Sequence, residues 1–207
     1  MKVGIINYGI GNISSVAGSL NNIGIDYIII KKEKEFDLVD KLILPGIGNF
    51  KKCKEILDKK NFSSKIREKV LKDNIPILGI CLGMQLLASW GNEGSDKNFT
   101  EGLNLIDGKV VSLKDLGSKL VLPHIGWNNI KIKNQSNLIK NIPMNTDFYF
   151  VHSYAYTEIE EKNIIAVASY GVEFPVLINY ENIWGTQFHP EKSSRAGLEL
   201  IKNFIKN

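Results

Sequence analysis

Residues 79–83 read Gly-Ile-Cys-Leu-Gly and residues 188–191 read Phe-His-Pro-Glu. In the first block a cysteine stands between two glycines where an apolar strand pattern gives way to a helical one. Small neighbours allow the backbone to approach closely there, and a sharp strand-to-helix turn would hold the Cys81 sulfur out of the sheet as a nucleophile. Such a turn also places the sulfur at the N-terminus of the following helix, predicted over 82–90, whose dipole favours thiolate over thiol. A thiolate nucleophile needs a base, and the chain holds three histidines, His124, His152 and His189. His189 is the best of them. Pro190 stops the strand before it, and Glu191, two residues on, falls on the same side of an extended backbone and can orient the imidazole. The expected chemistry is acyl transfer by Cys81, His189 and Glu191 as nucleophile, base and orienter.

Acyl transfer also needs hydrogen-bond donors for an oxyanion. The N–H of Leu82, directly after the nucleophile, is one. A second is expected from Pro45-Gly46-Ile47-Gly48, which closes a neighbouring strand at the edge where sheets of this type bind ligands. Glycines on both sides let the Gly46–Ile47 peptide reorient, so the Ile47 donor is expected to form only in an activated state. Cys53 sits in a Lys-rich helical pattern with no such turn around it and reads as a packing residue.

Other chemistries fit poorly. The histidines and the cysteines have no metal-ligand spacing. Gly9-Ile10-Gly11 follows the first strand, but Ser14 occupies the third glycine position of a dinucleotide loop, and no isolated acid follows at ribose-binding distance. No metal and no cofactor are expected.

The elements that must position these residues follow from the hydrophobic pattern. Strands are predicted at 2–6, 26–31, 41–44 (stopped by Pro45) and 76–80. Helices are predicted from about Ser14, over 50–73 with a break near 61–63, and over 82–90. This alternation argues for a doubly wound, mostly parallel α/β sheet flanked by helices. From 108 to 172 the runs become short and alternating, including one over 129–132, and read as an added antiparallel region. The chain then returns to strands at 176–179 and 183–188 and a closing helix over 194–206. One domain, 1–207, is expected.

Among the 207 residues, Lys+Arg 26 and Asp+Glu 22 leave a net charge of +4, spread over faces where acids alternate with bases rather than gathered into a nucleic-acid stripe. With 43% hydrophobic and 23% charged residues the chain can bury a core, which excludes a disordered protein, and two cysteines exclude a disulfide scaffold. The uncharged stretch 75–92 holds Pro76, Gly79, Gly83 and Gln85 and changes period midway, which suits a buried strand and helix better than a membrane span. The N-terminal apolar run is too short for a signal peptide. A cytoplasmic location is expected.

Gly79-Ile80-Cys81-Leu82-Gly83-Met84-Gln85 with Phe188-His189-Pro190-Glu191 resembles the class I (triad) glutamine amidotransferases. Four further blocks, 7–12 (Asn-Tyr-Gly-Ile-Gly-Asn), 44–48 (Leu-Pro-Gly-Ile-Gly), 123–128 (Pro-His-Ile-Gly-Trp-Asn) and 149–154 (Tyr-Phe-Val-His-Ser-Tyr), narrow the resemblance to the glutaminase subunits of imidazole glycerol phosphate synthases. The resemblance implies that Cys81 attacks the carboxamide of glutamine and that His189 protonates the leaving ammonia. It puts Gly46, Gly48 and Gln85 around the substrate, Ser153 and Tyr154 in backbone contact with it, and Glu93 on its α-amino group. The block around Glu93 is less acidic than the family pattern. Trp127, Asn128, Tyr149 and Lys192 would face a partner, a (β/α)8-barrel cyclase forming a heterodimer that consumes the ammonia. Readings still open are a paralogue feeding another acceptor, such as a sugar amidination, a stand-alone γ-glutamyl hydrolase or cysteine peptidase, and a non-catalytic binding module.

Overall fold

The computed structural model describes residues 1–95 and 99–207. The first half alternates as the pattern requires: β1 (Val3–Ile6), α1 (Ile13–Asn22), β2 (Tyr27–Ile30), β3 (Lys41–Gly46), α2 (Phe50–Lys59), α3 (Phe62–Leu71), β4 (Ile77–Cys81) and α4 (Leu82–Leu86). Short strands follow: β5 (Trp90–Gly91), β6 (Thr100–Glu101), β7 (Lys109–Ser112), β8 (His124–Asn129), β9 (Lys131–Ile132), β10 (Asp147–His152) and β11 (Tyr154–Thr157). The chain closes with β12 (Ile164–Ser169), β13 (Glu173–Tyr180), β14 (Ile183–Thr186) and α5 (Ser194–Lys206).

The main sheet has eight strands in the order β2-β1-β3-β4-β14-β13-β12-β9. Pairing is parallel from β2 to β14 and antiparallel beyond. Alternate side chains feed two cores. Ile5, Ile43, Leu78 and Ile80 pack with Val16 and Leu20 of α1 and Leu200, Ile201 and Phe204 of α5. Ile6, Leu42, Leu44 and Ile77 pack with Phe50 and Leu57 of α2, Ile66 of α3 and Met84 of α4. Both faces of the parallel strands are thus covered, as βαβ connections demand. A four-stranded sheet (β11-β7-β5-β6) and an antiparallel two-stranded ribbon (β10-β8) form the added region, which is antiparallel as expected except for the parallel β5–β7 pair.

Three expectations need correction. β3 does not stop at Pro45 but runs through it to Gly46, in register with Ile80 and Cys81 of β4. Its pairing with β1 ends at Ile43, so Pro45 owes no N–H on that side. The helix after Cys81 ends at Leu86 rather than Trp90, because N–H groups from 103–106 take the carbonyls of Leu86, Leu87 and Ala88. A five-residue helix gives Cys81 less dipole than a helix over 82–90 would. The run at 129–132 is two strands in different sheets, divided at the buried Ile130.

The break in the 50–73 helix falls where expected. Asn61 takes a left-handed conformation (φ 58°), which asparagine tolerates better than most residues.

Candidate active site

Strand register brings the pieces together. Gly46 ends β3 beside Cys81 at the end of β4, and Thr186 of β14 pairs with Ile80, so His189 emerges three residues beyond the same edge. This carboxyl edge is where open α/β sheets gather ligands.

The turn at Cys81 is a nucleophile elbow in backbone terms. Cys81 has φ 55° and ψ −111°, a conformation that L-residues adopt only under constraint. The constraint is visible at its glycines. A Cβ on Gly83 would lie 1.8 Å from the Leu44 carbonyl oxygen, one on Gly79 would lie 2.7 Å from the Gly83 main chain, and one on Gly46 would lie 2.8 Å from the Gly83 nitrogen. Strand, turn and helix therefore meet backbone to backbone.

His189 is held at main chain and ring. Its N–H donates to the Tyr149 carbonyl (2.9 Å), and its own carbonyl accepts from the Ser193 hydroxyl (2.6 Å). In the ring, Nδ1 donates to Glu191 Oε1 at 2.7 Å. Asn12 Nδ2 reaches the same oxygen at 3.4 Å, fixing the buried carboxylate from the loop after β1. That leaves Nε2, buried and with no hydrogen bond of ordinary geometry, as the nitrogen available to the Cys81 sulfur. Burial opposes an imidazolium here, but the sulfur and the Glu191 carboxylate outweigh it and hold the His189 pKa up to about 10. The pair is thus arranged as a proton donor beside a sulfur nucleophile.

Cys81 and His189 open on a cavity of about 190 Å³ lined also by Ile47, Gly48, Leu82, Gln85, Glu93 and the segment 151–154. A larger hollow of about 810 Å³ lies between Ile132 and Met144, but its lining holds no Cys, His, Asp or Glu. Within the cavity, Gln85 Nε2 donates to the Tyr154 carbonyl and to Gln187 Oε1, both at 3.0 Å. Glu93 Oε2 accepts from the Phe50 N–H at 2.9 Å, yet burial outweighs that bond and raises its pKa, leaving a carboxylate that would gain from a cationic partner. Ile47 turns its carbonyl towards the Cys53 thiol (3.5 Å), so Cys53, buried in the core, also pins the glycine loop.

The remaining sequence candidates gather on the β8–β10 ribbon beside this cavity. Trp127 pairs with Tyr149 across the ribbon, their rings 6.1 Å apart, and the Lys192 ammonium lies 5.8 Å from the Tyr149 ring centre. Trp127 and Ile125 are 53% and 59% exposed, an unusual display of large apolar side chains. Asn128 faces the Ser169 carbonyl at 3.0 Å.

A model of the class-I glutamine amidotransferases matches residues 4–207. The chain belongs to this family. Among curated relatives, this amidotransferase is 41% identical over 205 residues to the imidazole glycerol phosphate synthase subunit HisH of Leptospira borgpetersenii, covering 98% of each chain. It is 42% identical over 204 residues to subunit HisH 1 of Campylobacter jejuni strain RM1221, covering 99% of each. A glutamine amidotransferase of known crystal structure superposes with TM-score 0.76 at 17% identity, over 99% of this chain and 97% of that one, which speaks for the fold.

Sequence reasoning missed Asn12, Gln187 and Ser193 as parts of the amidotransferase site. Asn12 lies inside a block already singled out and Gln187 directly precedes Phe188-His189, but neither position has a local pattern that announces a contact with Glu191 or Gln85.

Proposed function

We propose that the chain is the glutaminase subunit of an imidazole glycerol phosphate synthase, acting in the cytoplasm as one catalytic domain. The observation that carries the reading is the convergence of Cys81, His189 and Glu191 at one sheet edge, in a chain alike over its full length to subunits of that synthase.

Cys81 Sγ adds to the carboxamide carbon of glutamine, and the carbonyl electrons move onto oxygen. The Leu82 N–H and a donor from 46–48 face that oxyanion. His189 passes its proton to the departing nitrogen, ammonia leaves, and a γ-glutamyl thioester remains. Water then attacks with His189 as base, and glutamate is released with the thiol restored. Gly46, Gly48, Gln85, Ser153 and Tyr154 shape the substrate site, and Glu93 meets the α-ammonium. Ammonia released into water would be protonated and lost as a nucleophile. The exposed Trp127–Tyr149–Lys192 face, with Asn128, therefore receives the acceptor enzyme, a (β/α)8-barrel cyclase that forms imidazole glycerol phosphate and an aminoimidazole ribonucleotide.

The test is glutamate release by the purified chain, alone and with the cyclase plus its ribulosyl phosphate substrate, with Cys81→Ser as blank. Strong stimulation that is absent in the blank is expected. A cyclase competent on ammonium salts that nevertheless fails to stimulate would move the assignment to a subunit serving another acceptor.

A further inference from the structure

Of the three histidines, only His189 has a task in the chemistry above. The other two are buried (3% exposed for His124, 6% for His152) and joined, His124 Nδ1 to His152 Nε2, at 3.0 Å. Desolvating two imidazoles is costly, and phenyl rings would fill the same space without that cost. Their ends explain what they do.

The far nitrogen of His152, Nδ1, lies 2.8 Å from the Tyr154 carbonyl oxygen. That oxygen only accepts, so His152 Nδ1 carries the proton. Burial holds the His152 pKa down to about 3, so the ring is neutral and Nε2 bears a lone pair. His124 must then donate from Nδ1 and accept at Nε2, which faces Asn128 Nδ2 at 3.4 Å. The second Asn128 hydrogen goes to the Ser169 carbonyl. Stacking fixes the plane of the His124 ring, with the Tyr170 centroid at 4.1 Å and the Phe150 centroid at 5.0 Å.

At the other end the Tyr154 carbonyl also receives Gln85 Nε2 (3.0 Å). The other Gln85 hydrogen goes to Gln187 Oε1, so the Gln187 NH2 is the group that lies 3.8 Å from the Cys81 sulfur. Each hydrogen bond in the chain from Asn128 to Cys81 thus has one direction. Asn128 lies on the ribbon with Trp127, and Ser153 and Tyr154 line the cavity.

We propose that His124 and His152 are positioning residues of the glutaminase: their coupled Nδ1–H tautomers anchor the Tyr154 carbonyl, set the Gln85 and Gln187 amides against Cys81, and tie that arrangement to Asn128 on the partner-facing ribbon. The proposal rests on the glutaminase reading given above. Without the His124 donor, His152 Nε2 is left as an unpaired buried acceptor and the imidazole loses one of the two bonds that fix it, so its hold on the Tyr154 carbonyl slackens. The substrate-lining segment is then released.

Two measurements test it. Nitrogen-15 imidazole NMR of the full chain has only three rings to assign. His124 and His152 are expected protonated at Nδ1 and bare at Nε2 near neutral pH. An Nε2–H His152 in the wild-type chain overturns the proposal whether or not any variant folds. Kinetics use His124→Phe, which keeps the stacking but not the donor, and His124→Gln, whose amide keeps both a donor and an acceptor. His124→Phe is expected to leave His152 Nε2 without a donor, seen as a downfield move of that nitrogen-15 resonance, and to raise KM for glutamine at least tenfold, with a smaller change in kcat, and His124→Gln to recover most of both. A folded His124→Phe chain with unaltered KM would refute the positioning role. A wild-type chain without glutaminase activity beside a competent cyclase would instead remove the enzyme reading, and leave the tautomer result to stand on its own.

Discussion

His189 donates its main-chain N–H to the Tyr149 carbonyl at 2.9 Å, so the proposed base hangs from the strand that carries the half-buried Tyr149. Ser193 doubles the link: its hydroxyl donates to the His189 carbonyl at 2.6 Å and accepts the Tyr149 N–H at 3.0 Å. A partner pressing on Tyr149 and Trp127 is therefore one hydrogen bond from the backbone of the base. The proposed docking face and the proposed nucleophile thus share a short connection.

The strained turn predicts a conflict between activity and stability. Cys81 holds φ 55° and ψ −111°, a geometry costing on the order of 1–3 kcal/mol for a residue with a Cβ. Cys81→Gly is expected to abolish glutamate release and yet raise the unfolding free energy measured in urea, by about 1 kcal/mol after loss of the thiol's packing. Equal or lower stability in urea titrations would show that the turn is relaxed.

The packing of Gly83 predicts a large effect from one methyl group. With its Cβ placed 1.8 Å from the Leu44 carbonyl oxygen, Gly83→Ala must push β3 away from α4. A loss of about 3 kcal/mol or more, with loss of activity, is expected. Gly18→Ala is the control. It lies in α1, its Cβ would meet nothing within 4 Å, and helix propensity alone predicts a gain of about 0.5–1 kcal/mol.

The His189 pKa of about 10 fixes the direction of two pH effects. It is raised above the unfolded value of 6.5, so its contribution to stability is complete below about pH 6.5 and is lost as pH rises towards 10. In the proposed mechanism the proton passed to ammonia is lost over the same alkaline limb, so kcat/KM should fall as pH passes through about 10. Glu191→Gln removes one of the two groups sustaining the charge. The alkaline limb is expected at lower pH, with kcat reduced on the order of a hundredfold or more. A pH–rate profile of Glu191→Gln that superposes on the wild type would deny Glu191 its orienting role.

Glu93 predicts the opposite trade. Burial raises its pKa against the pull of the Phe50 N–H, so the ionised carboxylate costs the free protein stability above that pKa. Glu93→Gln keeps an acceptor for Phe50 and removes the charge. Thermal stability at neutral pH should hold or rise, while KM for glutamine climbs at least tenfold through loss of the ammonium partner. An unaltered KM would take Glu93 out of the substrate site.

The legible parts of this molecule were those set by local sterics. Gly79, Cys81 and Gly83 announce the elbow because the need for glycine lies within five residues, and Asn61 marks the helix break by its own conformational tolerance. The spacing of His189 and Glu191 suffices for their 2.7 Å bond. What escaped was non-local. α4 ends at Leu86 because N–H groups 17–18 residues further on, at Leu103 and Leu105, claim its last carbonyls, and no helical periodicity contains that information. Asn12 on Glu191 spans 179 positions, and the tautomers of His124 and His152 follow from bonds to Asn128 and Tyr154 that only the folded chain assembles.

The backbone contact of Gly83 with Leu44 also limits how this centre can be controlled. With no side chain between β3 and α4, neither element can slide or pivot past the other as a rigid body without a clash. The loop after β3 is held from its other side by Cys53. What stays free between those two anchors is rotation of the Gly46–Ile47 peptide plane. Activation of the proposed site would therefore be a change of torsion, small in atomic displacement and invisible to probes of overall shape, while reversing which way one N–H dipole points.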